Sequence, residues 1–100
     1  MGAPYSFTRS ATEDLIDIWL YSRETWGEAQ ADRYQDSLHD CFERIAAGTV
    51  HAKSVSSIDL VRSHHCHHHY IFFVEQRGTI TVVAVLHERM DLIERLRDRL

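Results

Sequence analysis

The chain has one proline and four glycines in 100 residues, which leaves little room for a disordered linker. It has no surplus of basic charge: the formal net charge is −4 with histidines neutral, and Lys53 is the only lysine. A primary nucleic-acid binder would show a basic stripe, so that class is disfavoured, although eight histidines would shift the balance on mild acidification. No apolar run approaches the ~20 residues of a membrane span. The opening M-G-A-P-Y-S-F lacks the apolar run of a secretory signal and only superficially resembles a myristoylation signal. Cysteine is scarce too. With Cys41 and Cys66 alone, the expectation is a cytosolic protein with two reduced thiols, Cys41 buried on an apolar stripe and Cys66 the more accessible.

What is present suits one folded domain spanning residues 1–100. Apolar residues make up 44% and charged residues 26%, an ordinary globular balance. Pro4 to Arg9 alternates aromatic and polar residues and predicts a short strand. Ser10 and Glu13 have the spacing of a capping box for a first helix. Its stripe would be Ala11, Leu15, Ile18, Trp19, Ser22 and Trp26, closed by Gly27. A second stripe, Ala31, Tyr34, Leu38, Cys41, Phe42 and Ile45, predicts a second helix closed by Gly48. The two form an antiparallel hairpin.

Thr49 to Ser57 reads as a polar connector and Ile58 to Val61 as a short strand. Cys66 to Glu75 reads as one strand, Gln76 to Gly78 as a hairpin turn, and Thr79 to Leu86 as a central, nearly continuous apolar strand. From His87 to Leu100 the spacing of Met90, Ile93, Leu96 and Leu100 predicts a final helix. The fold class is therefore α+β: a helical hairpin on a small antiparallel sheet, in the order β-α-α-β-β-β with a C-terminal helix.

Between His64 and His69 five histidines and one cysteine occupy six positions. In a strand, alternate residues share a face. His65, His67 and His69 would then lie together, and a pair such as His67 and His69 is an adventitious Zn²⁺ or Ni²⁺ chelator. A structural zinc site needs four ligands in closed geometry, and no partner motif stands elsewhere, so no functional metal or other cofactor is expected.

Three stretches together carry a family resemblance. They are S-A-T-E-D-L-I-D-I-W-L-Y-S with W-G-E-A-Q-A-D-R-Y (Ser10 to Tyr34), R-S-H-H-C-H-H-H-Y-I-F-F (Arg62 to Phe73) and V-A-V-L-H-E-R-M-D (Val83 to Asp91). In this order the chain resembles ParE-type toxins of the RelE/ParE superfamily. The resemblance implies the toxin of a type II toxin-antitoxin system, neutralised by a ParD-like antitoxin and acting on DNA gyrase without an active site of its own. It implies no membrane and no sequence-specific nucleic-acid binding by the chain alone. Candidate antitoxin contacts are Trp19, Trp26 and Tyr34. Candidate target contacts are Arg62, His87, Arg89, Arg95 and Arg99.

Two alternatives stay open. RelE-type relatives cleave mRNA on the ribosome; here Arg62 and His87, with Glu43 or Asp59, would supply the acid-base and charge-stabilising groups. The late tyrosine of such enzymes is missing, since Tyr70 is the last one. The other alternative is a non-toxic module that only binds an antitoxin.

Overall fold

A computed structural model describes residues 4–99. Its elements run β1 (Tyr5–Phe7), α1 (Arg9–Trp26), α2 (Glu28–Ala47), β2 (Lys53–Ser54), β3 (Val61–Cys66), β4 (His69–Gln76), β5 (Thr79–His87) and α3 (Leu92–Arg97). The expected α+β hairpin-on-sheet architecture is present. Leu100 and the N-terminal Met1–Ala3, on which the signal-like readings fall, lie outside the described residues.

Helix α1 starts two residues earlier than the Ser10/Glu13 box predicts. Thr8 extends the backbone pairing of β1 with β5, its N–H donating to Val82 O at 3.0 Å. Its hydroxyl is thereby fixed where it accepts from Ala11 N at 3.1 Å and caps the helix. Glu13 instead pairs with Arg9 across one exposed turn. Gly27 ends α1 and begins α2: its N–H donates to Arg23 O, and its carbonyl accepts from Ala31 N. Its φ of 93° is one that only glycine adopts without strain, which permits the sharp reversal. Small residues let the helices approach, with Ala11, Ser22 and Ala31 all buried. Gln35 Nε2 donates to Leu15 O and Trp19 Nε1 to Asp32 Oδ1, at 2.8 and 2.9 Å.

The sheet order is β1-β5-β4-β3-β2. It is mixed rather than antiparallel throughout, because β1 runs parallel to β5. No hairpin turn joins those two strands; the whole helical hairpin and β2 to β4 intervene, so the connection does not force antiparallel pairing. The β4–β5 turn lies where expected. Arg77 and Gly78 both have positive φ, 53° and 76°, the twist-matched two-residue hairpin.

Side chains alternate across the sheet. Ile71, Phe73, Ile80, Val82 and Val85 face the hairpin and pack on Leu38, Phe42 and Ile45. Val61, Phe72, Val83, Ala84 and Leu86 face away and are covered by Leu96 of α3 with Val55 and Ile58 of the connector. Of the expected Ile58–Val61 strand only Val61 is strand, as the first residue of β3; Ile58 to Leu60 form a covering turn, and the short β2 pairs with Ser63 and Arg62. The final helix is shorter than its periodicity suggests. Strand β5 continues to His87, paired with His69, and Asp91 caps α3 by accepting from Glu94 N.

The cysteines correct the expectation of two reduced thiols with Cys66 accessible. Cys41 and Cys66 are both buried and joined as a disulfide, with Cα atoms 6.5 Å apart. Cys41 lies on the sheet-facing stripe of α2, and Cys66 ends β3 on its inner face, so the packing of α2 on β3 brings them together. The loop they close spans a sequence separation of 25, and closing one of that size stabilises by roughly 3 kcal/mol.

Strand β5 has a bulge. Phe72 pairs with Ala84 and Phe73 with Val82, leaving Val83 over. Beyond it β1 has ended, and the outer edge of β5 turns to α1. Asp14 Oδ2 accepts from Val85 N at 3.0 Å. Arg99 grips both oxygens of Asp14, at 2.6 and 2.8 Å, and also donates to Val83 O. Asp14→Ala strips Val85 of its acceptor and Arg99 of its partner, and is expected to cost about 2–3 kcal/mol. Arg99→Met leaves the Val85 bond and should cost less. Urea unfolding of both variants checks the order; a greater loss in Arg99→Met would refute this account of the edge.

Candidate functional site

Helices α1 and α2 face the end of the sheet where β3 turns into β4. Between them and that turn lies an open groove of about 1070 Å³. One wall is helical, with Ile18, Tyr21, Trp26 and Tyr34. The other is the histidine turn His67–His69, continued by His87, Arg89 and Met90 after β5. Tyr21 and Trp26 are 63% and 62% exposed, large aromatic surfaces in mutual edge-on contact at 5.9 Å. Met90 is also exposed.

The histidine stretch is a hairpin, not one strand. His67 has φ 56°, and with His68 it makes the turn between Cys66 and His69. The face assignment that grouped His65, His67 and His69 therefore fails. His65 stacks on Tyr70 at 4.4 Å. His67 projects from the turn, exposed beneath the Tyr34 ring. His69 is buried.

The turn is fastened to α2 by Tyr34. Its hydroxyl lies 2.6 Å from His69 Nδ1 and accepts from His68 N at 3.2 Å. Burial pushes the Tyr34 pKa up, so the phenol keeps its proton and donates it to Nδ1. His69 is thus neutral, with its proton on Nε2. Burial, then the neighbouring His87 and His68, push its pKa down to about 4, against smaller opposing effects of Glu88 and Asp14. On the solvent side Glu88 accepts from His65 at 2.9 Å and lies 3.4 Å from His68. Those hydrogen bonds hold its carboxyl below the usual range.

The sequence-derived candidates divide as follows. Trp26 and Tyr34 line the groove together with His87 and Arg89, so two sets assigned to different partners share one surface. Trp19 does not line it; the Asp32 bond and Arg23 over its ring at 5.2 Å make it a hairpin residue. Arg95 is exposed on α3. Arg99 is committed to Asp14, its side chain only 21% exposed.

Arg62 lies elsewhere. It faces Glu75 at 3.7 Å and the Phe73 ring, in a smaller cleft shared with Asp59. His87 is level with His69 and Cys66, whereas Arg62 is four positions back along β3, about 13 Å by strand rise. The structure does not bring Arg62 and His87 together. His87 Nδ1 accepts from Arg89 N, capping the turn after β5. Glu43 accepts from the Tyr5 hydroxyl, remote from both. Tyr21 and Met90 went unselected in the sequence. Tyr21 lies off the apolar stripe of α1, and an aromatic on a polar helix face was the available signal.

A hairpin on a five-stranded mixed sheet with this groove defines a class of small α+β proteins, and comparison places the chain within it. The profile of the family described as ParE toxin of type II toxin-antitoxin system, parDE, matches residues 5–92. Toxin ParE of Escherichia coli is 44% identical over 98 residues, covering 96% of this chain and 95% of the relative. Toxin ParE1 of Mycobacterium tuberculosis is 33% identical over 94 residues, covering 92% and 96%. A solved structure titled Chromosomal ParDE TA system from P. aeruginosa has the same fold, with a TM-score of 0.74 at 16% identity, covering 85% of this chain and 95% of that one. The chain belongs to the ParE toxin family of type II toxin-antitoxin systems.

The buried His69 sets a pH dependence. Its folded pKa lies below the ordinary histidine value of about 6.5, so the unfolded chain takes up the proton first. Stability is then full above that value and declines as pH falls towards 4, by on the order of 2 kcal/mol. His69→Asn should flatten urea-derived stability between pH 7 and 5, and Tyr34→Phe should cost about 1–2 kcal/mol at pH 7. An unchanged slope in His69→Asn would show that other groups set the dependence.

Proposed function

We propose that the groove is the receptor for an amphipathic segment of a ParD-like antitoxin, and that the free toxin acts in the cytoplasm by inhibiting DNA gyrase. The observation that carries this reading is the pair of exposed aromatics, Tyr21 and Trp26, facing a polar, histidine-rich wall in a chain of the ParE family. Aromatic anchors in an otherwise solvated groove suit the apolar face of a segment that folds as it binds. Arg33 and Arg89 at the groove suit carboxylates flanking that face. Since His87 and Arg89 lie in the same groove, an antitoxin there would cover part of the surface offered to the target, which explains neutralisation without a separate switch. Arg62 and Arg95 remain outside it as further target contacts.

Purified chain added to a gyrase supercoiling and cleavage assay, with translation-dependent mRNA cleavage in parallel, tests the target. Lost supercoiling or accumulated cleaved DNA with intact mRNA is expected. Intact gyrase activity with codon-phased mRNA cuts would overturn the reading in favour of a ribosome-dependent nuclease. Silence in both would leave antitoxin binding as the function. For the antitoxin, the double variant Tyr21→Ala, Trp26→Ala should weaken binding at least tenfold, about 1.4 kcal/mol, by titration calorimetry. Its unfolding should be unaltered, because both side chains are exposed.

A further inference from the structure

At the base of the histidine turn the chain assembles two sulfurs and an imidazole. Cys41 Sγ, Cys66 Sγ and a ring nitrogen of His67 all lie within 4.8 Å of one another. We propose that this trio is a redox-gated site for a thiophilic divalent ion, Zn²⁺ in particular: closed while the cysteines are joined, and a three-ligand site when they are reduced. The ligand set differs from the alternating histidines that the sequence suggested. It draws one residue from α2, one from β3 and one from the turn.

Two thiolates and one imidazole are a recognised zinc donor set, with water completing the tetrahedron. With Zn–S near 2.3 Å and Zn–N near 2.0 Å, the ligand atoms of this set on one tetrahedral ion stand roughly 3.5–3.8 Å apart. Reduction frees the two sulfurs to part to that spacing, and the imidazole of the exposed turn residue has only to close from within 4.8 Å. Two further contacts favour the site. Arg44 Nη2 lies 3.2 Å from Cys41 Sγ, and a cation there favours the thiolate, the form that binds metal. The Tyr34 ring, 6.0 Å from that of His67, limits the directions in which the imidazole can turn.

The chemistry balances in two steps. A low-molecular-weight thiol or a dithiol reductant supplies two electrons and two protons; the Cys41–Cys66 bond breaks, two thiols form, and the reductant leaves as its own disulfide. Zn²⁺ then binds both sulfurs as thiolates, and two protons pass to solvent.

Untagged chain, reduced with a phosphine and titrated with Co²⁺ as a spectroscopic substitute, tests the proposal. Reduced protein should bind one ion per chain with thiolate-to-cobalt charge-transfer absorbance, which Zn²⁺ abolishes by displacement. Oxidised protein should show no such band. Cys66→Ser should remove the band, but a core serine risks the fold, so His67→Gln at the exposed turn decides. It should weaken Zn²⁺ binding at least tenfold, whereas His68→Gln beside it should not. Absence of the band in folded, reduced protein would overturn the proposal. So would wild-type affinity in His67→Gln, or equal binding by the oxidised chain, which would assign the metal to surface histidines.

Discussion

The outer edge of β5 is the constraint from which the architecture follows. Strand β1 covers that edge only as far as Val82. Backbone groups left bare beyond it would be costly or would recruit another strand. The bulge at Val83 re-aims the edge, and Asp14 meets it from α1 as Arg99 closes in from the C-terminal segment. One carboxylate thus fixes the tilt of α1, terminates the sheet and anchors the chain after α3. The groove lies beyond that edge, at the end of the sheet marked by His87 and the His67–His69 turn.

On the far side of the groove, Tyr34 does for the histidine turn what Asp14 does for the edge. A phenol donating to a neutral, buried imidazole and accepting from the next backbone N–H holds a turn that its positive-φ histidine would not favour alone. The wall is therefore rigid where α2 touches it and solvated at His67 and His68. Binding surface and fold share residues here, and acid that discharges Glu88 or protonates His69 acts on both.

Much of the fold was legible because its signals are periodic. The two helical stripes, the Gly27 reversal and the apolar run of β5 each need only local spacing, and they hold except at Trp26, which is exposed at the end of the α1 stripe. What failed depended on pairing between distant segments. Thr8 outcompetes Ser10 as a cap because β5 fixes Thr8, which helix spacing alone does not show. Cys66 is accessible in an isolated strand and buried once α2 lies over it. The six-residue histidine run reads as strand by alternation, yet the match of Cys66 with His69 makes two of its members a turn. Trp26, Tyr34, His87 and Arg89, singled out from the motif stretches, all line the groove. Trp19, Arg62 and Arg99 lie outside the groove, and only the folded chain shows which indole or guanidinium is already engaged.

In the proposed function the groove is the place where a partner docks, and the assigned roles of its two walls depend on that. Hydrogen–deuterium exchange of the chain, alone and saturated with its antitoxin, measures this without assuming a mechanism. Slowed exchange is predicted in the helical wall between Asp17 and Ser37 and in the turn and strand ends from His67 to His69 and His87 to Met90. Slowed exchange confined to the cleft around Asp59, Arg62 and Glu75, with the groove unchanged, would contradict it.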